Sequence, residues 1–351
     1  MTAPASGTAP QITAVIPTFK RPRLLLRAIA SVLAQEGASL KVCVYDNASG
    51  DGTAAMVRGL AAGDLRVQYH CHAQNIGAAA NFDFALRRIE TPFFSILSDD
   101  DYLLADFYRS ALAGLAAHPK AMFWAGVVLN VDMDGRIWDA RVDRWHRDGL
   151  FLPPDGFTQM TGGMAPAWTG ILFRREVLEL EGLPDPQMLG PSDLEFCLRL
   201  AARFPYVVEK HPSAVFTLNS ASFSATQPMD SFWPGWKRML GKFEACDEMD
   251  EAFKDGALAA LRRDARRMLF RRGANGLAAG RMDFARDAAK ALEDDCGSRG
   301  RARLLRIIAS ACECSSLLQL AYKLAYRAVE ARIVRSRSTL QAKYGSLLRP
   351  A

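Results

Sequence analysis

The chain has 351 residues, half of them apolar, and carries a formal net charge of +6 at neutral pH. That composition suits one large globular domain or two ordinary ones. No run approaches the roughly 18 apolar residues a bilayer span needs, and MTAPASGTAPQ has neither the charged nor the apolar region of a secretion signal, so the expectation is a cytoplasmic protein with a disordered tail over residues 1–11.

The first elements alternate. Ile12 to Ile16 is an apolar run ending at Pro17, and Pro22 opens a helical pattern through Leu25, Ala28, Ile29, Val32 and Leu33. Val42, Val44 and Tyr45 make a second strand that stops at Asp46 in a turn-rich loop, followed by a helix over 53–60. A third strand is expected over 65–70, a helix over 77–89 and a fourth strand over 93–97. Such alternation predicts a parallel sheet with right-handed crossovers, whose ligands bind beyond the carboxyl ends of the strands.

The fourth strand ends in Ser98, Asp99, Asp100 and Asp101. Three successive carboxylates repel one another, so something must compensate them. A solvated turn or helix cap is one explanation; a divalent cation, Mg²⁺ or Mn²⁺, held by hard oxygen ligands and a substrate phosphate is the other. No GxxxxGK[ST] or GxGxxG loop is present, so neither a P-loop nor a dinucleotide fingerprint is supported.

Past Asp101, strands are expected over 122–129 and 168–173, with a long loop over 141–163 between them. A helix over 192–203, with Ser192 as its N-cap, follows in a mixed sheet that closes near residue 225. Beyond 231, Ala, Leu and Arg dominate, and helices are predicted near 231–246, 250–272, 278–293 and 301–335, broken by Gly273, Gly276, Gly280, Gly297 and Gly300. Residues 301–351 hold ten basic and two acidic side chains, so the basicity belongs to this end of the chain.

Seven cysteines without CxxC spacing read as reduced thiols, and Cys312 with Cys314 lacks the second pair a metal site needs. The five histidines form no ligand spacing, and Trp145 and Trp168 are expected in the core rather than stacked on a sugar. The basic helices read first as a solvated or oligomer-forming surface and second as a contact with anionic lipid, and nothing supports nucleic acid.

The segments AVIPTFKRPRLLLRAIASVLAQ, VYDNASGDGT, QNIGAAANFDFAL and FFSILSDDDYL together resemble glycosyltransferase family 2, the inverting, nucleotide-sugar-dependent enzymes on the GT-A fold. The resemblance spans residues 12–225 and implies an α/β, Rossmann-like, mostly parallel sheet. Its nucleotide-binding half would be 12–101 and its acceptor half 102–225, with a basic helical region over 231–351. It implies that Pro17, Thr18, Asp46, Asn75, Gly77, Asp99 and Asp100 line the nucleotide and that Asp193 is the general base. A metal would sit on Asp101 together with Asp99 or Asp100.

The chain departs from the pattern in places. Ser192 stands where the family often has an acid, which leaves Glu195 competing with Asp193, and Asn219 replaces a frequent histidine. The QxxRW of processive synthases is absent, so transfer of a single sugar to a glycan or lipid-linked glycan is implied, as in assembly of bacterial surface polysaccharide, in the cytoplasm or against the inner face of the membrane. The rivals are a sugar nucleotidyltransferase, whose Gly-rich loop after the first strand is missing, and a non-catalytic scaffold or carbohydrate-binding protein, which would be expected to have lost Asp193 or the SDDD carboxylates.

Overall fold

The computed structural model describes residues 9–219, 227–246 and 249–348. Most of the expected disordered tail, the boundary near residue 225 and Arg349 lie outside the described residues.

The first half alternates as the apolar pattern demands: β1 (Ile12–Thr18), α1 (Pro22–Leu33), β2 (Leu40–Asp46), α2 (Thr53–Gly63), β3 (Val67–Cys71), α3 (Ala78–Leu86) and β4 (Phe93–Ile96). All of β1 except Pro17 is buried, as a strand covered by helices on both faces must be. On α1 the buried side chains are Leu25, Ala28, Ile29 and Val32, one stripe at helical spacing.

The chain then lays down β5 (Tyr102–Leu103), α4 (Phe107–Ala117), β6 (Phe123–Asp132), β7 (Ile137–Ala140), β8 (Gly149–Phe151), α5 (Asp155–Met160), β9 (Ile171–Arg174), α6 (Glu176–Leu180), α7 (Ser192–Arg203) and β10 (Tyr206–Leu218). The expected loop over 141–163 therefore holds β8 and α5. The sheet runs β3-β2-β1-β4-β9-β6-β10-β5, with β7 beside β6 and β8 beside β10. Its β3-β2-β1-β4 half is parallel. The other half is mixed, because β9 inserts antiparallel between β4 and β6.

From β1 the chain moves outward through β2 and β3, then returns to place β4 on the opposite side of β1. The crossovers diverge there, leaving a crevice at the carboxyl ends of β1 and β4. Thr18 and the SDDD segment flank it.

The C-terminal region is helical, as predicted, with different breaks: α8 (Met229–Glu244), α9 (Glu251–Ala278), α10 (Met282–Asp294), α11 (Arg299–Cys314), α12 (Ser316–Ser336) and α13 (Ser338–Tyr344). Gly273 and Gly276 do not break α9. A Cβ on Gly273 would lie 2.7 Å from Leu305 Cδ1, and one on Gly276 2.9 Å from Phe284 Cδ1, so both glycines serve close helix packing. The single helix expected over 301–335 is divided at Ser315, whose side chain accepts from the Leu318 N–H and caps α12.

The helices share a core with the sheet. Phe243 of α8 meets Phe157 of α5 edge-on at 5.4 Å, and a Cβ on Gly235 would fall 1.9 Å from the Met188 carbonyl oxygen. Helix α8 is thus pressed onto the loop that leads into α7. That helix has the predicted bounds, but its N-cap is Pro191; Ser192 is its first residue and makes no capping bond.

Candidate active site

Thr18, the last residue of β1, donates its hydroxyl to Asp99 Oδ2 at 2.8 Å across the crevice. The same oxygen accepts the Phe19 N–H at 3.4 Å. Arg21 then spans two carboxylates, reaching Asp99 at 3.1 Å and Asp100 at 2.9 Å. Arg27, one and a half turns along α1, donates to the Asp100 carbonyl at 2.6 Å and to the Thr217 hydroxyl at 3.1 Å. The charge of SDDD is compensated within the chain by Arg21. Neither arginine was singled out from the sequence, although KRPRLLLR directly after the switch strand was the available signal.

Asp101 is more deeply set than the sequence suggests. It is 0% exposed, and each of its oxygens accepts a bond: Oδ1 from the Thr217 N–H at 2.8 Å, Oδ2 from the Thr169 hydroxyl at 2.7 Å. Burial raises its pKa to about 7, with the bonds from Thr217 and Thr169 opposing. An oxygen pair so enclosed is a fastening between the SDDD loop, β10 and the 168–170 turn. As a metal ligand Asp101 would have to give up one of these two bonds. Burial also raises the Asp99 pKa, against Thr18 and Arg21.

Asp99 and Asp100 remain as the acidic pair at the crevice. Both already share one cation, and their hard oxygens suit Mg²⁺ or Mn²⁺, which commonly take one or two carboxylates and leave the rest to water and phosphate. Among the described residues no three Asp, Glu, His or Cys side chains converge on one point, so the chain would supply only part of the coordination.

The neighbouring strand end is equally ordered. Asp46 is 1% exposed; Oδ1 accepts from the Ser49 N–H at 2.9 Å and hydroxyl at 2.6 Å, and Oδ2 accepts from Tyr69 at 2.6 Å. Asn75 Oδ1 accepts from Asn47 Nδ2 at 2.9 Å and from the Gly77 N–H at 2.8 Å, while Asn47 Oδ1 accepts the Ile76 N–H at 2.8 Å. These bonds tie the loops after β2 and β3 together. Gly77 has φ of 85°, a conformation glycine takes without steric cost, and it opens α3. Pro17, Thr18, Asp46, Asn75, Gly77, Asp99 and Asp100 therefore come together along one edge of the sheet.

Asp193 reaches this edge through Trp168. The indole N–H donates to the Asp193 carbonyl at 3.1 Å, and the adjacent Thr169 holds Asp101, so one turn positions both. Trp168 is 9% exposed and stacked on Phe82 at 5.4 Å, and Trp145 is buried with its N–H on the Met164 carbonyl, so both belong to the core, as expected. Asp193 is exposed at the first turn of α7. Desolvation by the surrounding protein raises its pKa, opposed by the Leu194 N–H and by the charge of Arg141. The helix-terminus field favours the ionised form and opposes that rise.

Glu195 points away. It is 1% exposed and paired with Arg199 at 2.9 Å and Lys242 at 3.6 Å. The geometry leaves Asp193 as the accessible carboxylate of the pair. An open crevice of about 920 Å³ lies between the start of α3, from Ile76 to Ala80, and the loop through Leu183, Asp185 and Leu189 that leads to Asp193.

Residues 13–180 match the Glycosyl transferase family 2 model. This segment is a family 2 glycosyltransferase domain. Two characterised proteins align with parts of the chain. The GalNAc(5)-diNAcBac-PP-undecaprenol beta-1,3-glucosyltransferase of Campylobacter jejuni is 35% identical over 98 residues, which are 27% of this chain and 31% of that protein. The succinoglycan biosynthesis protein ExoO of Rhizobium meliloti is 30% identical over 109 residues, 31% of each. The chain thus spans less than a third of the length of either relative. Residues 1–349 of S. aureus TarS, solved in complex with UDP, superpose with a TM-score of 0.61 at 15% identity, covering 90% of this chain and 91% of that one. That likeness shows a common fold, GT-A-like with a helical C-terminal region, over most of the chain.

Proposed function

We propose that the protein transfers a single sugar, with inversion, from a nucleotide-sugar donor to a glycan or lipid-linked glycan acceptor, in the synthesis of a bacterial surface polysaccharide. The observation that carries this reading is the bonded edge formed by Thr18, Asp46, Asn75, Gly77 and Asp99 at the switch point of a family 2 domain, with Asp193 held beside it by Trp168. The relatives' roles in building a lipid-linked glycan and succinoglycan support the acceptor class.

In this reading the nucleotide lies along the carboxyl ends of β1 and β2, with Pro17 and Thr18 beneath it and Asp46 acting on its base end through the Ser49 and Tyr69 side chains that it holds. The turn at Asn75 and Gly77 closes one side. Asp99 and Asp100 would hold a divalent cation, which when bound neutralises charge on the departing diphosphate. Asp193 takes the proton of the acceptor hydroxyl as that oxygen attacks the anomeric carbon from the face opposite the nucleotide, which inverts the centre. A carboxylate with a raised pKa is the stronger base for that step.

We place this work on the cytoplasmic side, against the membrane surface. Helix α12 has no buried residue, and Leu317, Leu320 and Leu324 face solvent near Lys323 and Arg327. No helix among the described residues is long and apolar enough to cross a membrane.

The reading is tested by incubating the protein with UDP-, GDP- and dTDP-sugars and following the anomeric protons by NMR. One donor is expected to turn over slowly to water, releasing sugar of inverted configuration. Release with retained configuration, or no turnover of any donor with or without added membrane lipid extract, would remove it.

A further inference from the structure

Behind Asp193 lies a group of arginines with too few partners. Arg141 follows β7, Arg144 closes the short turn after it, Arg271 lies on α9 and Arg337 ends α12. Three of them surround one carboxylate, Asp139, with Arg144 at 3.2 Å, Arg337 at 3.7 Å and Arg141 at 3.9 Å. Arg271 is near enough to interact with both Asp139 and Arg141, and burial together with the Arg141 charge lowers its pKa. Among the described residues, Asp139 is the one carboxylate that faces all four guanidiniums, and Asp193 is within reach of Arg141.

Other carboxylates on this face are already engaged. Asp143 accepts from Lys343 at 2.6 Å and from Tyr344 at 2.8 Å, and Glu330 sits beside Arg327. The cluster is open to solutes, since the side chains of Arg141, Arg144 and Arg337 are 39%, 46% and 30% exposed. Like charges held together from three separate segments repel, and an added anion relieves that repulsion. Guanidinium forks match the paired oxygens of a phosphate group.

Its position gives the cluster a role. Arg141 acts on Asp193 as well as on Arg271, and Arg271 and Arg337 belong to the helical region, so the group joins the proposed base to those helices. We propose that Arg141, Arg144, Arg271 and Arg337 bind a phosphate or diphosphate carried by the acceptor, and so hold the acceptor hydroxyl at Asp193. The proposal rests on the reading of Asp193 as the base and names the acceptor's charge class.

The test is calorimetric. Farnesyl diphosphate below its micellar concentration, inorganic pyrophosphate and farnesol are titrated into protein saturated with whichever nucleoside diphosphate binds it best, so that the donor edge is filled. Both diphosphates are expected to bind wild type, farnesol is not, and the Arg141→Ala/Arg271→Ala double variant weakens diphosphate binding about tenfold or more. Nucleotide affinity should be unchanged in that variant, which also reports that it is folded. Tighter binding of farnesyl diphosphate than of pyrophosphate would identify a lipid-borne group, and equal binding a phosphate recognised by itself. Absence of diphosphate binding to wild type, or equal binding to the variant, overturns the proposal. If no nucleotide binds, the donor reading has failed separately, and the pyrophosphate titration without preloading still decides on the arginines.

Discussion

Replacing Asp193 with Asn is expected to lower kcat by about 10²–10⁴-fold, the usual contribution of a positioned general base, with nucleotide affinity nearly unchanged. The substitution is nearly isosteric, and the Asp193 carboxylate accepts from the Leu194 N–H, a bond that the Asn oxygen can keep, so the fold has little to lose. Glu195 offers no replacement, because its carboxylate is enclosed with Arg199 and Lys242. Desolvation raises the Asp193 pKa, so the wild-type rate should climb with pH through a value above the ordinary carboxylate range and then level. A steady-state pH–rate profile of both proteins checks this. An Asp193→Asn enzyme with wild-type kcat would exclude Asp193 as the base.

The second large effect concerns Asp101. Removing its carboxylate with Asp101→Ala leaves the Thr217 N–H and the Thr169 hydroxyl buried without their acceptor, at about 1–3 kcal/mol each, so a loss of about 2–6 kcal/mol is expected in denaturant unfolding. Its pH signature has a definite sign. The folded pKa of about 7 stands above the unfolded value of about 4, so the folded state holds its proton more tightly between those limits. Stability from this group is fully present below about pH 4 and is lost as pH rises through about 7. Asp101→Asn should flatten that fall relative to wild type. A ligand role for Asp101 would instead give an Asp101→Ala protein of unchanged stability that no longer responds to Mn²⁺.

The elements legible in the sequence are those whose pattern has one local solution. The apolar run of β1, the stripe on α1 and the spacing of Leu194, Cys197, Leu198 and Ala201 on α7 each bury one face, and the structure places them with nearly the same bounds. Strand β9 was visible as a strand, but its antiparallel place between β4 and β6 depends on pairing partners that lie far away in sequence. Gly273 and Gly276 read as helix breakers because the side chains of Leu305 and Phe284 that need the space belong to other helices.

The candidate site divides in the same way. Asp46, Asn75, Gly77 and Asp99 follow strands, so their positions at the carboxyl edge could be read from alternation and the family resemblance. The burial of Asp101 could not be, since it depends on Thr169 and Thr217, roughly 70 and 120 residues away. Nor could the pairing of Arg21 with both Asp99 and Asp100, which exists only because β4 lies beside β1.

A nucleotide should occupy the carboxyl edge formed by β2, β1 and β4. The most direct measurement is calorimetric titration of UDP, GDP, dTDP and CDP into wild type and Asp46→Asn, each with Mn²⁺ and with EDTA. The account predicts that one of the four binds wild type, more tightly with Mn²⁺ than with EDTA, and that Asp46→Asn weakens it. If none of the four binds wild type in either condition, that edge is not a donor site, and SDDD is no more than a turn neutralised by Arg21.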